Sequence, residues 1–207
     1  MGAGMALSAD RTEFFHKTLP YLSVARDYYN SSIQGNAQYF GLPTWLSLFL
    51  RIAVVVMAAV TLWLLWKYYR TSNELLWLAT STGTLLTTSW LVLSLGQGYY
   101  SMLLFPMLMT VGYRSSVMGN WVSWVAVYGF LSYDNWLSGK WPAFGRSLAY
   151  LKCTLGWSLL IVVPFCVLLF RYLDAKAENR LDEGIDRPLP PEEEPGKHEL
   201  APSAARG

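Results

Sequence analysis

The chain reads as an all-α protein, a polytopic bundle of about five membrane-spanning helices with an outer N-terminal loop and a disordered acidic tail. Three observations predict it. Of 207 residues, 53% are hydrophobic and 15% aromatic, with ten tryptophans, a composition suited to lipid rather than to one soluble core. Apolar runs of spanning length recur between about 45 and 170, the first closed by the aromatic and basic Lys67-Tyr68-Tyr69-Arg70. Beyond Arg171 the character changes to acids alternating with prolines. These divide the chain into an outer loop and interfacial helix (1–43), a transmembrane region (44–172) and a cytoplasmic tail (173–207).

Residues Met1 to Tyr21 carry Asp10, Arg11, Glu13, His16 and Lys17 and lack the basic start and apolar middle of a signal peptide. Phe14, Phe15, Leu19 and Leu22 form a weak apolar stripe at helical spacing, which predicts a helix in the interface ending near Pro20. Arg26 to Gly35 reads as a polar, aromatic loop. There Arg26 can meet a phosphate as a planar fork, Tyr28 can stack on a ring or a polyprenyl chain, and Asn30 and Gln34 can both donate and accept hydrogen bonds. Headgroup anchoring by the same Tyr and Arg side chains is the competing reading.

Gly41-Leu42-Pro43 ends the loop, and the first span follows from about Trp45 to Trp66, closed by Lys67-Tyr68-Tyr69-Arg70. Arg51, near its start, is expected to snorkel toward headgroups, with contact to a substrate phosphate as the alternative. A second span covers about Leu75 to Leu95. Its row of Thr80, Ser81, Thr84, Thr87 and Thr88 is expected to bond to neighbouring helices rather than to line a cavity. After the uncharged Gly96-Gln97-Gly98-Tyr99-Tyr100 turn, Tyr99 to Tyr113 is close to the shortest segment able to cross, which implies local thinning or a partly re-entrant path. The fourth span runs from Trp121 to about Leu137. The fifth, from about Leu148 to Phe170, holds Lys152 in a snorkelling position and Pro164 as a kink.

An odd number of spans places Lys67, Arg70, Arg114, Arg171, Lys176 and Arg180 on one side. Arg26, Gly96 to Tyr100, Lys140 and Arg146 lie on the other. The two sides are nearly balanced in basic residues, and the tail is assigned to the cytoplasm by a small margin. In that orientation the chain starts outside the cytoplasm, which implies upstream helices.

Several function classes fall away on composition. Basic residues are scattered rather than clustered, so nucleic acid is not an expected partner. No phosphate-cradling glycine loop is followed by Lys-Ser/Thr, which argues against a nucleotide-driven motor. His16 and His198 sit in opposite terminal segments, so no metal site is expected, and nothing calls for a cofactor. Cys153 and Cys166 would stand about 20 Å apart on one regular helix, which excludes a disulfide between them.

Phe14-Phe15, Leu19-Pro20, Tyr28 to Gly35, Ser89-Trp90 and Gly98-Tyr99-Tyr100 with Pro106 downstream resemble, in their order, the C-terminal half of actinobacterial GT-C polyprenol-phosphate-dependent glycosyltransferases. The nearest likeness is to the members that transfer arabinofuranose to cell-wall arabinan. Asn30-Ser31-Ser32 stands where Asn-Gln-Ser is common, and Tyr99-Tyr100 where many relatives carry histidines. The resemblance implies a plasma-membrane transferase with its catalytic face outside the cytoplasm. It implies decaprenylphosphoryl arabinofuranose as donor, cell-wall polysaccharide as acceptor, and membrane lipids around it. It also implies that the catalytic acidic residue belongs to an N-terminal half absent here, so that the chain alone is inactive. Arg26, Tyr28, Asn30, Gln34, Tyr99 and Tyr100 are the donor-binding candidates. Asp27 and Asp134 are the outer-side carboxylates nearest the spans. A small helical scaffold or lipid-transport subunit is the alternative class.

Overall fold

The computed structural model describes residues 14–18, 20, 24, 30–132 and 139–186. Its described residues form helices joined by turns, with no strand among them. Arg26, Asp27, Tyr28, Asp134 and the tail beyond Asp186 lie outside the described residues, and of the expected interfacial helix they include one wide helical turn, Phe14–Thr18.

The supposed loop contains a helix. α1 (Ile33–Tyr39) starts at Ser32, whose hydroxyl accepts from the Gly35 N–H at 3.0 Å, a standard N-cap. It stops at Gly41, where φ is +63°, with the Leu42 N–H donating to the Ala37 carbonyl at 2.8 Å and the Gly41 N–H to Gln38 at 3.2 Å. That pairing is the Schellman closure, and the left-handed residue it needs is a glycine because a Cβ is costly there.

Among the described residues, α2 (Thr44–Tyr68) and α6 (Pro142–Ala177) are the two helices long and apolar enough to cross a membrane. Much of α2 is uncovered: Trp45, Phe49, Ile52, Val56, Trp63 and Trp66 are all exposed. So large an apolar surface must meet lipid or another protein, and with two such helices we describe the chain as a membrane protein. α6 starts earlier and ends later than the expected fifth span and continues through Pro164.

α3 (Glu74–Val92) is capped by the Asn73 side chain, which accepts from Leu76 N at 3.1 Å. Its 19 residues measure about 28 Å, but threonine and serine make it less apolar than α2. Thr84 and Thr88 donate to the carbonyls four residues back on α3 itself, at 2.8 and 2.7 Å, rather than across to a neighbour. A threonine hydroxyl reaches the i−4 carbonyl without any partner helix, which is why the expected interhelical bonding is not what these residues do.

The segment that looked too short to span is Gly98–Leu104 in 3₁₀ form, then α4 (Phe105–Met109), then a 3₁₀ turn Thr110–Gly112. Pro106 has no N–H to offer, and the Met102 carbonyl is taken by Phe105 one residue earlier in the tighter pattern. A 3₁₀ helix rises about 2.0 Å per residue, so the segment has a contour of roughly 27 Å, some 5 Å more than an α-helix of equal length.

α5 (Trp121–Leu131) is shorter than the expected fourth span. It crosses α6 backbone to backbone: a Cβ on Gly156 would lie 2.7 Å from the Ala126 carbonyl oxygen, and one on Gly129 would lie 2.9 Å from that of Lys152. Lys152 does not simply snorkel. Its ammonium donates to the Ser132 carbonyl at 2.7 Å, placing a cation on the C-terminus of α5.

The buried core links α2, α3, α4 and α6 through Leu64, Leu65, Leu91, Leu104, Met107 and Trp157. At its far end, chain expected to be tail is held in place. α6 ends in a second Schellman closure, with Asn179 at φ 53° and the Arg180 N–H donating to the Ala175 carbonyl at 3.0 Å. Asp186 then returns to the bundle, accepting from Tyr69 at 2.7 Å and from Arg171 at 3.0 Å, while Ser115 donates to its other oxygen. Burial, and after it the bond to Asp186, pushes the Tyr69 phenol well up, so it remains a donor. Truncation after Asp186 should therefore leave the thermal midpoint in detergent unchanged, whereas truncation after Lys176 should cost about 1–2 kcal/mol, since those donors lose their acceptor. Equal midpoints for the two truncations would show that Asp186 contributes nothing.

Candidate functional site

At the opposite end of α2 from Tyr69, two features adjoin. The first is a clamp around Asn30, which is almost fully buried. Its Oδ1 accepts from Ser32 N at 3.0 Å and from Gly96 N at 2.9 Å, and its Nδ2 donates to the Ser94 carbonyl at 2.7 Å. Beside it the Ser31 N–H donates to the Gly96 carbonyl at 2.7 Å. Asn36 extends the clamp to α6, donating to Thr154 Oγ1 at 2.7 Å, and Thr154 in turn donates to the Ser31 carbonyl at 2.7 Å. Gly96 is a glycine because a Cβ there would sit 2.6 Å from the Trp90 carbonyl oxygen and 3.0 Å from the Trp157 ring.

Under this clamp lies an aromatic cluster. Trp157 is wholly buried, donates to Ser101 Oγ at 3.0 Å, and packs with Trp90 at 5.2 Å between centroids. Trp90 meets Tyr100 at 5.8 Å, and Tyr100 meets the exposed Tyr99 edge-on at 4.7 Å. The arrangement holds one aromatic ring outward on a rigid base.

The second feature is a cleft of about 270 Å³ between α1 and α2, lined by Gln34, Gln38, Thr44, Ser47 and Arg51 among others. Gln34 and Gln38 are one turn apart on α1. Thr44, Ser47 and Arg51 follow at three- and four-residue spacing on α2, so two polar stripes face each other. Among the described residues Arg51 Nη1 makes one long contact, 3.5 Å to Gln34 Oε1, while Arg51 Nε and Ser47 Oγ are buried and find no partner. Among the described residues every carboxylate lies at the other end of the bundle, on Glu74 or from Asp174 onward. The cleft thus offers a cation and hydrogen-bond donors with no counter-charge among the described residues.

Of the six residues picked from sequence, Asn30 and Gln34 share this end with Tyr99 and Tyr100; Arg26 and Tyr28 lie outside the described residues. Asn30 spends its amide on the framework. Gln34 Oε1 meets Arg51, which lines the cleft. Asn36, Gln38 and Thr154 carry no signal in the sequence, because their importance depends on α1 existing. A Ser three residues before a glycine, with another glycine closing the segment, is the faint mark that could have revealed it.

The profile of glycosyltransferase family 87 matches residues 1–94. The chain is 59% identical over 184 residues to an α-(1→3)-arabinofuranosyltransferase of Mycobacterium tuberculosis, covering 89% of this chain and 42% of that protein. It is 56% identical over 186 residues to the enzyme of that name from Mycolicibacterium smegmatis, covering 90% and 43%. With the Corynebacterium glutamicum protein, also an α-(1→3)-arabinofuranosyltransferase, identity is 43% over 171 residues, covering 81% and 40%. No solved structure matches. The chain spans about two fifths of the length of these relatives. Along nine tenths of its own length the chain is similar to these arabinofuranosyltransferases, and its first 94 residues match the pattern of glycosyltransferase family 87.

Proposed function

We propose that the chain is the C-terminal, lipid-donor-binding part of a GT-C arabinofuranosyltransferase, and that the cleft at Arg51 receives the phosphate of decaprenylphosphoryl arabinofuranose. The supporting observation is Arg51 itself, a guanidinium in an apolar helix with no carboxylate beside it among the described residues. Such a charge is costly unless an anion completes it. Gln34, Ser47 and Thr44 surround that position, and Tyr99 over Tyr100 supplies an apolar ring face at the same end for the sugar or the prenyl chain. Arg26 and Tyr28 are the further donor contacts proposed from the sequence, and the Asn30 clamp holds the neighbouring end of α3.

In the proposed reaction an arabinan hydroxyl oxygen attacks the anomeric carbon. The carbon–oxygen bond to the lipid phosphate breaks, the phosphate departs with the electron pair, and a carboxylate takes the hydroxyl proton. Arg51 would hold the departing phosphate. The carboxylate comes from an N-terminal half, so the chain alone binds donor without transferring it; a base at Asp27 or Asp134 would instead let the chain transfer by itself. In this reading the protein is multi-pass, with the Asn30 end outside the cytoplasm and the 3₁₀-extended segment and α5 crossing with α2, α3 and α6. A charge-assisted hydrogen bond is worth about 1.5–3 kcal/mol, so Arg51→Ala should weaken binding of decaprenyl phosphate to the purified protein by roughly tenfold to a hundredfold. Arg51→Lys should restore part of it, keeping charge without the fork. Unchanged binding in Arg51→Ala and in a Gln34→Ala/Tyr99→Ala variant, both folded, would sink the proposal.

A further inference from the structure

At the other end of the bundle lies a larger cavity, about 460 Å³, lined by Arg114, Phe170, Arg171, Asp174, Arg180 and Asp186 among others. We infer that it is a binding site for the phosphate headgroup of an anionic membrane lipid, on the surface opposite the Arg51 cleft. Eighteen helical residues separate Arg51 from Tyr69, roughly 27 Å along α2, so the two sites cannot share a ligand headgroup.

The hydrogen-bonding balance of the cavity favours an anion. Asp186 already accepts at both carboxylate oxygens, from Tyr69 and Arg171 at one and Ser115 at the other. Arg171 makes all its described bonds through Nη1, to Tyr69, to the Ser115 carbonyl and to Asp186, leaving Nε and Nη2 without an acceptor among the described residues. Arg180 is more than nine-tenths buried; its Nε pairs with Glu178 and its Nη1 donates to the Asp186 carbonyl at 2.8 Å, while Nη2 is buried with no partner among the described residues. Arg114 is exposed and makes no described contact. Arg114, Arg171 and Arg180 line the space with Asp174 and Asp186, Glu178 pairs with Arg180 from beside it, and the unspent groups on the arginines are donors.

The depth of the cavity favours a lipid. Lys67 Nζ lies 5.1 Å from the ring centroids of both Trp63 and Tyr68, and Tyr172 lies 6.3 Å from each of those rings. Such an aromatic and basic girdle sits at headgroup level. It occupies the same turns of α2 and α6 as Tyr69 and Arg171, and the exposed ring of Phe170 lines the cavity where an acyl chain would enter. Basic pockets at helix ends are suited to this ligand.

The test uses the full chain in detergent, with native mass spectrometry reading retained phosphatidylglycerol against phosphatidylcholine. Preferential phosphatidylglycerol retention is expected, reduced about tenfold by Arg114→Gln. Arg70→Gln, which removes an exposed charge at the same end but outside the cavity, should leave retention unchanged. Equal loss in Arg70→Gln, or no loss in Arg114→Gln, would overturn the site. In a second arm, phosphorus NMR follows inorganic phosphate alone. Saturable binding that depends on Arg114, without phosphatidylglycerol preference, would overturn the lipid as its source. Decaprenyl phosphate binding at Arg51 is a separate readout, so failure of either site is visible without the other.

Discussion

Asn30→Ala is expected to lower stability by on the order of 3–5 kcal/mol, a substantial fraction of the roughly 5–15 kcal/mol that holds a typical domain folded. The side chain bridges three groups: the N–H of Ser32, the N–H of Gly96 and the carbonyl of Ser94. Alanine removes all three bonds; the two N–H groups are buried, and each buried orphan costs about 1–3 kcal/mol. Asn30→Asp tests the donor separately. Its carboxylate still accepts from both N–H groups, but it has no hydrogen for Ser94 and puts a charge where Asn30 is 3% exposed. Both variants should lower the thermal midpoint in detergent by roughly 10 °C or more and make the segment before α2 sensitive to protease. Midpoints within about 2 °C of the parent would show that the clamp carries little energy.

The long apolar helices were legible in the sequence to within a few residues at the start of α2 and α3, because an uninterrupted apolar run needs no tertiary information to be recognised. α1 was not, since seven residues containing Gly35, Asn36 and two glutamines show no apolar period; its two ends are set by a Ser cap and a left-handed glycine. Arg51 illustrates the consequence. Read along α2 alone, it is a basic residue near a helix end. Only once α1 is folded against α2 does it face Gln34 across a cleft. The same holds at the far end, where Arg171 and Asp186 stand fifteen residues apart and composition alone points to a solvated tail. What connects them is the reversal after Asn179, and left-handed asparagine leaves no pattern that distinguishes it from any other asparagine in a polar stretch.

Gly156→Leu should be at least as damaging as Asn30→Ala, through packing instead of hydrogen bonding. Even the first carbon of any side chain at Gly156 would stand 2.7 Å from the Ala126 carbonyl oxygen and 3.0 Å from the Phe130 nitrogen. Both are helix backbone, so neither can rotate aside; α5 and α6 must separate. Overpacking of this kind costs about 3 kcal/mol or more when the obstacle is rigid. Separation would also draw the Lys152 ammonium off the end of α5 and shift the neighbouring Trp157, which holds Ser101. Thr154 lies on the same turn, so the Asn36 clamp and with it α1 should loosen, carrying a stability defect into the Arg51 cleft. Gly98→Ala is the matched control, because its new carbon would meet only Cys153 Sγ at 3.7 Å, an ordinary contact. The expected order of thermal midpoints is parent and Gly98→Ala together, then Gly156→Ala, then Gly156→Leu, with decaprenyl phosphate binding falling in the same order. A Gly156→Leu protein as stable as Gly98→Ala would mean that α5 and α6 do not meet backbone to backbone.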